Sequence, residues 1–207
     1  MLTIALSKGR ILNESLPLLN KIGIEIDQAE LASRKLILDT NFDDIKVVIL
    51  RAQDVPVYVQ HGATDIGIAG KDVLLEHKGQ GLYELLDLNI AKCKLKIAAK
   101  SYKHLENTPL KVATKYVNSA RKYFQQQSRQ VEIIKLYGAM ELAPIINLAD
   151  AIVDLVDTGN TLKANGLKAF DTIYPISSRL IVNSASYKTK NTEIKYWLNL
   201  IKSKLND

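Results

Sequence analysis

The sequence predicts an α/β protein of two lobes with mostly parallel sheets and a cleft between them, on three observations. Short apolar runs alternate with segments of helical period from one end to the other, the pattern of βαβ units. The alternation restarts after residue 90 with no Pro/Gly/Ser-rich linker between the two series. The 207 residues are 47% hydrophobic, enough to fill two small cores.

Taken in order, LTIAL (2–6) reads as the first strand and SKGR as a connection. ILNESLPLLNKIG follows as a helix with Ile11, Leu12, Leu16, Leu19 and Ile22 on one stripe and Gly23 as its stop. Pro17 makes that helix begin near Asn13 or kink there. RKLILD and IKVVILR (45–51) read as strands, the second apolar enough to be covered on both faces. DVPVYVQHG is a short helix capped by Asp54 and closed by Gly62, DIGIAG (65–70) a buried strand, and KDVLLEHK another helix. After LYELLDLNIAKCKLKIAAK the series resumes with strand LKVATK, helix VNSARKYFQQQ, strand VEIIKLYG, helix MELAPIINLAD and strand AIVDLV. The last segment, TEIKYWLNLIKSKL, sets Ile194, Trp197, Leu198, Ile201 and Leu205 on one face, which packs back on the first lobe or, alternatively, meets a partner. Residues 1–90 plus 177–207 are expected to form the first lobe and 91–176 the second, with crossings near 90 and 177.

The formal charge of +6 and pI near 9.2 come from scattered lysines and arginines. No basic arm with interleaved aromatics is present, which argues against nucleic acid; the excess suits small polyanions, or is a solvated surface. A single cysteine, Cys93, excludes a disulfide framework and paired-cysteine zinc patterns and fits a packing role in a reducing cytosol. The N-terminal apolar run is too short for a signal peptide, and no run reaches the ~18 apolar residues of a membrane span. The expectation is a soluble, cytoplasmic protein.

ADAIVDLVDTGNTLKANG (149–166) carries the most chemistry. A triphosphate loop needs G-x-x-x-x-G-K-[ST], and this turn has no lysine. It follows a strand, where α/β sheets bind ligands. Gly159 lets backbone approach closely, successive N–H groups can form an anion nest, and the hydroxyls of Thr158 and Thr161 can donate to phosphate at the start of a helix 161–165. Asp154, between Val153 and Leu155, would cost several kcal/mol if buried alone, on the order of magnitude of a lone buried charge. A sugar diol would satisfy it, with Glu141 as a second acid; the alternatives are a capped turn or a lysine partner. Diol-binding acids beside a monophosphate nest describe ribose 5-phosphate.

With these residues in view the chain resembles the short form of ATP phosphoribosyltransferase, the first enzyme of histidine biosynthesis. The likeness runs through ALSKGRI (5–11), SRKLI (33–37), RAQDVPVYVQHGATDIGIAGKDVLLE (51–76), YELLDL (83–88), VATKYVNSARKYF (112–124), IIKLYGAMELAP (133–144), ADAIVDLVDTGNTLKANGL (149–167) and SSRLIVN (177–183). The resemblance implies a fold similar to type II periplasmic binding proteins, with 5-phosphoribosyl 1-pyrophosphate (PRPP), ATP and Mg²⁺ meeting in the cleft and the ion held mainly by substrate phosphates. It implies that Asp157, Thr158, Gly159, Asn160 and Thr161 hold the 5-phosphate and that Glu141 and Asp154 hold the ribose hydroxyls. Lys8, Arg10, Arg34 and Arg51 would face the polyphosphates and nucleotide, with Lys8, Arg10 and Arg51 on the ATP. It also implies a regulatory subunit related to histidyl-tRNA synthetase that confers histidine feedback, self-association as a dimer within a hetero-octamer, and neither nucleic-acid nor membrane partners. Two departures stand out: Gly138-Ala139 replaces a frequent Gly-Ser, and Ser7 stands where proline is common.

The implied reaction joins N1 of adenine to C1 of PRPP, inverts that carbon and expels pyrophosphate. N1 has a free lone pair at neutral pH, so no general base is needed, and His61, His77 and His104 read as surface residues. The leaving group gains negative charge, which fixed cations relieve: Lys8, Arg10 and Arg34 are the candidate catalytic groups. Two other readings stand beside this one, a cytosolic solute sensor of the same two-lobed plan and a phosphoribosyltransferase that uses another base.

Overall fold

The computed structural model describes residues 1–77 and 79–205. The chain divides into two compact units: Met1–Ala91 together with the segment from Ser177 onward, and Lys92–Ile176.

In chain order the first unit contributes β1 (Leu2–Ser7), α1 (Arg10–Lys21), α2 (Gln28–Ala32), β2 (Ile37–Asp39), β3 (Ile45–Leu50), α3 (Val55–Gln60), β4 (Ile66–Gly70), α4 (Lys71–Glu76) and β5 (Leu82–Asp87). The second supplies β6 (Cys93–Ala99), a 3₁₀ turn (Tyr102–Glu106), β7 (Leu110–Thr114), α5 (Val117–Gln126), β8 (Val131–Lys135), α6 (Leu142–Ile145), β9 (Ala151–Val156), α7 (Asn160–Ala164) and β10 (Lys168–Ile176). The chain then returns to the first unit as β11 (Ser178–Asn183), α8 (Ser184–Thr189) and α9 (Asn191–Leu205).

Both sheets are mixed, which corrects the expectation of mostly parallel ones. In the first, ordered β2-β3-β1-β4-β11-β5, only β3, β1 and β4 pair in parallel with one another; β2, β11 and β5 each join through an antiparallel pairing. In the second, ordered β10-β6-β9-β7-β8, the parallel set is β9, β7 and β8. Apolar periodicity specifies a strand and its buried faces but not its direction. Each sheet nonetheless has a parallel trio whose carboxyl ends share one edge, the place where α/β folds gather ligands.

The first unit buries both sheet faces. Leu2, Ile4 and Leu6 meet α1 and Ile194, Trp197, Leu198 and Ile201 of α9, so the terminal helix packs on this core as its apolar stripe predicts. Ala5, Ala69 and Ile181 meet Val55 and Val59 of α3 on the other side. Gly67 makes that approach possible, since a Cβ there would stand 2.7 Å from Val59 and 2.9 Å from Val55. Burying each of the large α9 side chains contributes about 2 kcal/mol.

Local corrections have physical causes. Helix α1 begins at Arg10 and runs through Pro17 rather than starting near Asn13. Asp54 has helical dihedrals and makes no capping bond; α3 begins at Val55, with Pro56 in its first turn, where the missing N–H costs nothing. Strand β3 alternates buried and half-buried residues, so its second face is only partly covered. The strand read over RKLILD shrinks to β2, and α6 is a single turn that Asn147, at φ 59, follows. Helix α2 escaped the periodicity, although Asp27 caps it by accepting from the Ala29 N–H at 2.6 Å.

Asp65 staples the discontinuous first unit. Its buried carboxylate accepts from the Thr3 N–H (2.9 Å) and hydroxyl (3.0 Å) on β1, from the Ser186 hydroxyl (2.6 Å) on α8, and from Lys190 Nζ (2.8 and 2.9 Å). Its backbone N–H donates to the Thr3 carbonyl and its own carbonyl accepts from the Asn183 N–H. The charge is partitioned unevenly: residues 92–176 hold thirteen Lys and Arg against seven Asp and Glu, so the second unit carries the whole formal +6 of the chain.

Burial alone would raise the Asp65 pKa, but the bonds from Lys190, Ser186 and Thr3 outweigh it and hold the carboxyl below its ordinary range. A carboxyl whose pKa is depressed by folding contributes stability that is complete above the unfolded value near ~4 and is lost as pH falls through the folded one. Urea denaturation followed by circular dichroism is therefore expected to show a decline below about pH 4 that is blunted in Asp65→Asn. At pH 7 that variant is expected to be less stable by about 3 kcal/mol, because Lys190 loses its counter-charge.

Candidate active site

Four of the cations singled out from the sequence lie toward one edge of the first unit. Ser7 pairs with Leu50 in the parallel β1–β3 ladder, and the Lys8 N–H extends it by donating to the Leu50 carbonyl at 2.9 Å. Lys8 and Arg51 are therefore the first residues beyond two neighbouring strand ends, and both are exposed. Arg34 approaches from the opposite chain direction. Strand β2 runs antiparallel to β3 with Ile37 opposite Val48, and the Ile49 N–H donates to the Leu36 carbonyl at 2.8 Å, so the residues just before β2 lie level with the end of β3.

Arg10 opens α1 after Gly9, whose φ of 90° is a conformation that glycine adopts without strain. Its Nε donates to Glu14 Oε1 at 2.7 Å. Lys71, which the sequence reading absorbed into a helix, is a further cation at this edge: it follows β4, the other parallel neighbour of β1, and pairs with Glu84 Oε2 at 2.6 Å. A lysine directly after a buried strand was the signal that could have found it.

The acids and hydroxyls belong to the second unit and converge on one small core. Asp154 lies on β9 on the same face as Ile152 and Val156, the face packed against Met140, Ala143, Leu162 and Leu167. Met140 directly precedes Glu141, and Leu162 belongs to α7. The same cluster therefore fixes the strand that carries Asp154, the turn that carries Glu141 and the turn at 157–161. Asp154 is half-buried, sits opposite Lys96 in the ladder, and accepts from the Leu155 N–H at 2.8 Å through Oδ1. Glu141 stands at the head of α6 with no capping bond from its side chain. Ala139, at the usual serine position, adopts φ 51.

Gly159 has φ 78 and ψ 7 and turns the chain directly from the end of β9 into α7, with no side chain of its own to cap the helix. The Asn160 N–H makes only a long 3.4 Å bond to Thr158 Oγ1, and the first α-helical bond closing on this turn is from the Lys163 N–H to the Gly159 carbonyl. Thr158 and Thr161 are exposed. Such a turn presents amide donors and hydroxyls to an anion, with the left-handed glycine supplying the curvature of a nest. Lys115, at the end of the adjacent parallel strand β7, also lies at this edge and was missed; its Nζ stands 4.9 Å from the Tyr116 ring centroid.

The histidines take no part in either group, although only His61 is fully on the surface. His77 is half-buried, which lowers its pKa, as does the neighbouring His61. Its Nδ1 accepts from the Gly79 N–H, so the neutral ring carries its proton on Nε2 and donates to Gln60 Oε1 at 2.8 Å. His104 is tied to Ser101 at 2.9 Å.

The family model described as HisG: ATP phosphoribosyltransferase matches residues 51–203. The ATP phosphoribosyltransferase of Ruthia magnifica subsp. Calyptogena magnifica is 65% identical over 205 residues, 99% of this chain and 100% of that protein. That of Alcanivorax borkumensis is 61% identical over 194 residues, 94% of this chain and 91% of that one. Among solved structures, the ATP phosphoribosyl transferase (HisG:HisZ) complex from Thermotoga maritima superposes with a TM-score of 0.85 at 32% identity, covering 100% of this chain and 99% of that one. The periplasmic aliphatic sulphonate binding protein SsuA from Escherichia coli is alike in fold alone, with a TM-score of 0.61 at 17% identity over 98% of this chain and 67% of its own. By sequence over nearly its whole length, and by fold, this chain belongs to the ATP phosphoribosyltransferase family, the enzymes of the first step of histidine biosynthesis.

Proposed function

We propose that the enzyme joins N1 of the adenine of ATP to C1 of PRPP, inverting that carbon and releasing pyrophosphate. The observation that carries this reading is the left-handed turn at Gly159, set directly at the end of a parallel strand that bears Asp154. In this reading Asp157, Thr158, Gly159, Asn160 and Thr161 hold the 5-phosphate through backbone amides and hydroxyls. Asp154 and Glu141 accept from the ribose hydroxyls, which orients C1. Lys8, Arg10 and Arg34 oppose the charge that builds on the departing pyrophosphate, and Lys8, Arg10 and Arg51 receive ATP. The neutral His77 is engaged elsewhere, consistent with a nucleophile whose lone pair needs no base.

The family needs a metal ion for catalysis, and we assign it Mg²⁺. The ion is read as hydrated and carried mainly on the substrate phosphate oxygens. Bound there it would neutralise charge on the leaving group, and no residue of this chain is assigned to hold it. The likeness to the Thermotoga maritima HisG:HisZ complex supports a HisZ-type regulatory partner; our reading adds that this subunit is related to histidyl-tRNA synthetase, confers histidine feedback, and joins a dimer of this chain in a hetero-octamer. Among the described residues no helix is long and apolar enough to cross a membrane, and we assign the enzyme to the cytoplasm.

Mixing the protein with ATP, PRPP and Mg²⁺ is expected to release pyrophosphate together with a change in the adenine ultraviolet spectrum. Pyrophosphate only with a different base would identify another phosphoribosyltransferase, and binding without turnover would identify a sensor. Arg10→Ala is expected to lower turnover by roughly 10²-fold with the fold intact, through lost stabilisation of transition-state charge; full turnover in folded variant would remove Arg10 from the reaction. Asp154→Asn is expected to weaken PRPP binding in calorimetry by about tenfold, the loss of one charge-assisted contact, and unchanged affinity would refute the diol assignment.

A further inference from the structure

Glu14 is bonded at both ends. Oε1 accepts from Arg10 Nε at 2.7 Å, and Oε2 accepts from the backbone N–H of Ala91 at 2.7 Å, 77 residues away. Ala91 is the last residue of the first unit before the chain passes to the second, and it is held at φ 50 two residues after Asn89 at φ 59. The return crossing is tied to the same spot: the Ser178 N–H donates to the Ile90 carbonyl, and Asp87 Oδ1 accepts from the Ser177 hydroxyl (2.8 Å) and the Asn89 N–H (2.9 Å).

An exposed pair four residues apart on a helix is ordinarily loose and contributes little. Here the second oxygen anchors the acid to backbone, so the carboxylate cannot swing with its arginine. The two donors approach different oxygens of the Glu14 carboxylate, and in Glu14→Gln one of those atoms becomes an NH₂ that cannot accept.

Resting on the assignment of Arg10 to the reaction, we propose that Glu14 is a positioning residue that fixes the Arg10 guanidinium against the crossover backbone at Ala91. Glu14 adds no charge of use to a polyphosphate; its negative charge opposes that of Arg10, so its contribution is to geometry. The Ala91 N–H and then Arg10 hold the Glu14 carboxyl below its ordinary pKa against the effect of burial, so it is ionised and accepts from both donors wherever the enzyme works near neutrality.

The test is a double-mutant cycle on the full-length protein with ATP, PRPP and Mg²⁺, each variant checked for folding by circular dichroism and thermal midpoint. Glu14→Ala and the length-preserving Glu14→Gln are expected to lower kcat by about tenfold with the KM for PRPP within about twofold. Arg10→Ala combined with Glu14→Ala is expected to be no slower than Arg10→Ala alone, within about twofold, because a residue that acts through another has nothing left to position. Wild-type kcat in both Glu14 variants while Arg10→Ala is slow would sink the role of Glu14 and leave that of Arg10 standing. Multiplying losses would show that Glu14 acts independently of Arg10 and overturn the proposal. Full turnover in Arg10→Ala would remove both assignments at once.

Discussion

The buried carboxylate of Asp65 takes donors from three parts of the chain that are far apart in sequence: Thr3 on the first strand, Ser186 on the short helix after the last strand, and Lys190 behind it. A charge in that position is tolerated only because nearly every lone pair is met, and removing any donor leaves a desolvated anion. The first unit is made from two separate stretches of chain, and this carboxylate ties them together beside the β4–β11 and β5–β11 ladders. It sits where the central strands β1, β4 and β11 lie side by side. The positions of Lys8 and Lys71, each the first residue past one of those strands, follow from that order.

A second constraint acts at the opposite ends of the same strands. Parallel pairing forces neighbouring strands to finish level, so Lys8 and Arg51, 43 residues apart, and Lys8 and Lys71, 63 apart, arrive at one edge through register alone. In the second unit the parallel trio β9, β7 and β8 repeats the device with different chemistry, a glycine turn and acids in place of arginines. One unit thus sets cations on its strand ends, and the other sets a glycine turn at the end of β9. Loops that follow rigid strands hold such groups more firmly than free loops would.

Much of this was legible in the sequence. Apolar runs identified β1, β3, β4, β7, β8 and β9, and the stripe on the terminal helix named the residues that it buries. The turn at 157–161 could be read as an anion nest because glycine, hydroxyls and a preceding strand are all local features. What escaped depended on distance. The direction of β11 and the level of Arg34 come from which strand lies beside which. The partner of Glu14 is 77 positions away. Lys71 and Lys115 looked like ordinary surface lysines until the strand order brought them to an edge. Helix α2 is too short to show a period, and Asp54 matched a capping pattern that its helical dihedrals do not allow.

The interleaved route of the chain has a consequence for synthesis. Strand β11 lies between β4 and β5, and β5 has β11 as its neighbour in the sheet. When β4 and β5 have left the ribosome they cannot yet be joined, and β4 carries an open edge through the whole time that the second unit is being made. That unit is continuous, holds all of its own strands, and can collapse while the first is waiting. Assembly in this order leaves β4 with one open apolar edge until β11 has been made, the kind of edge that other chains can pair with.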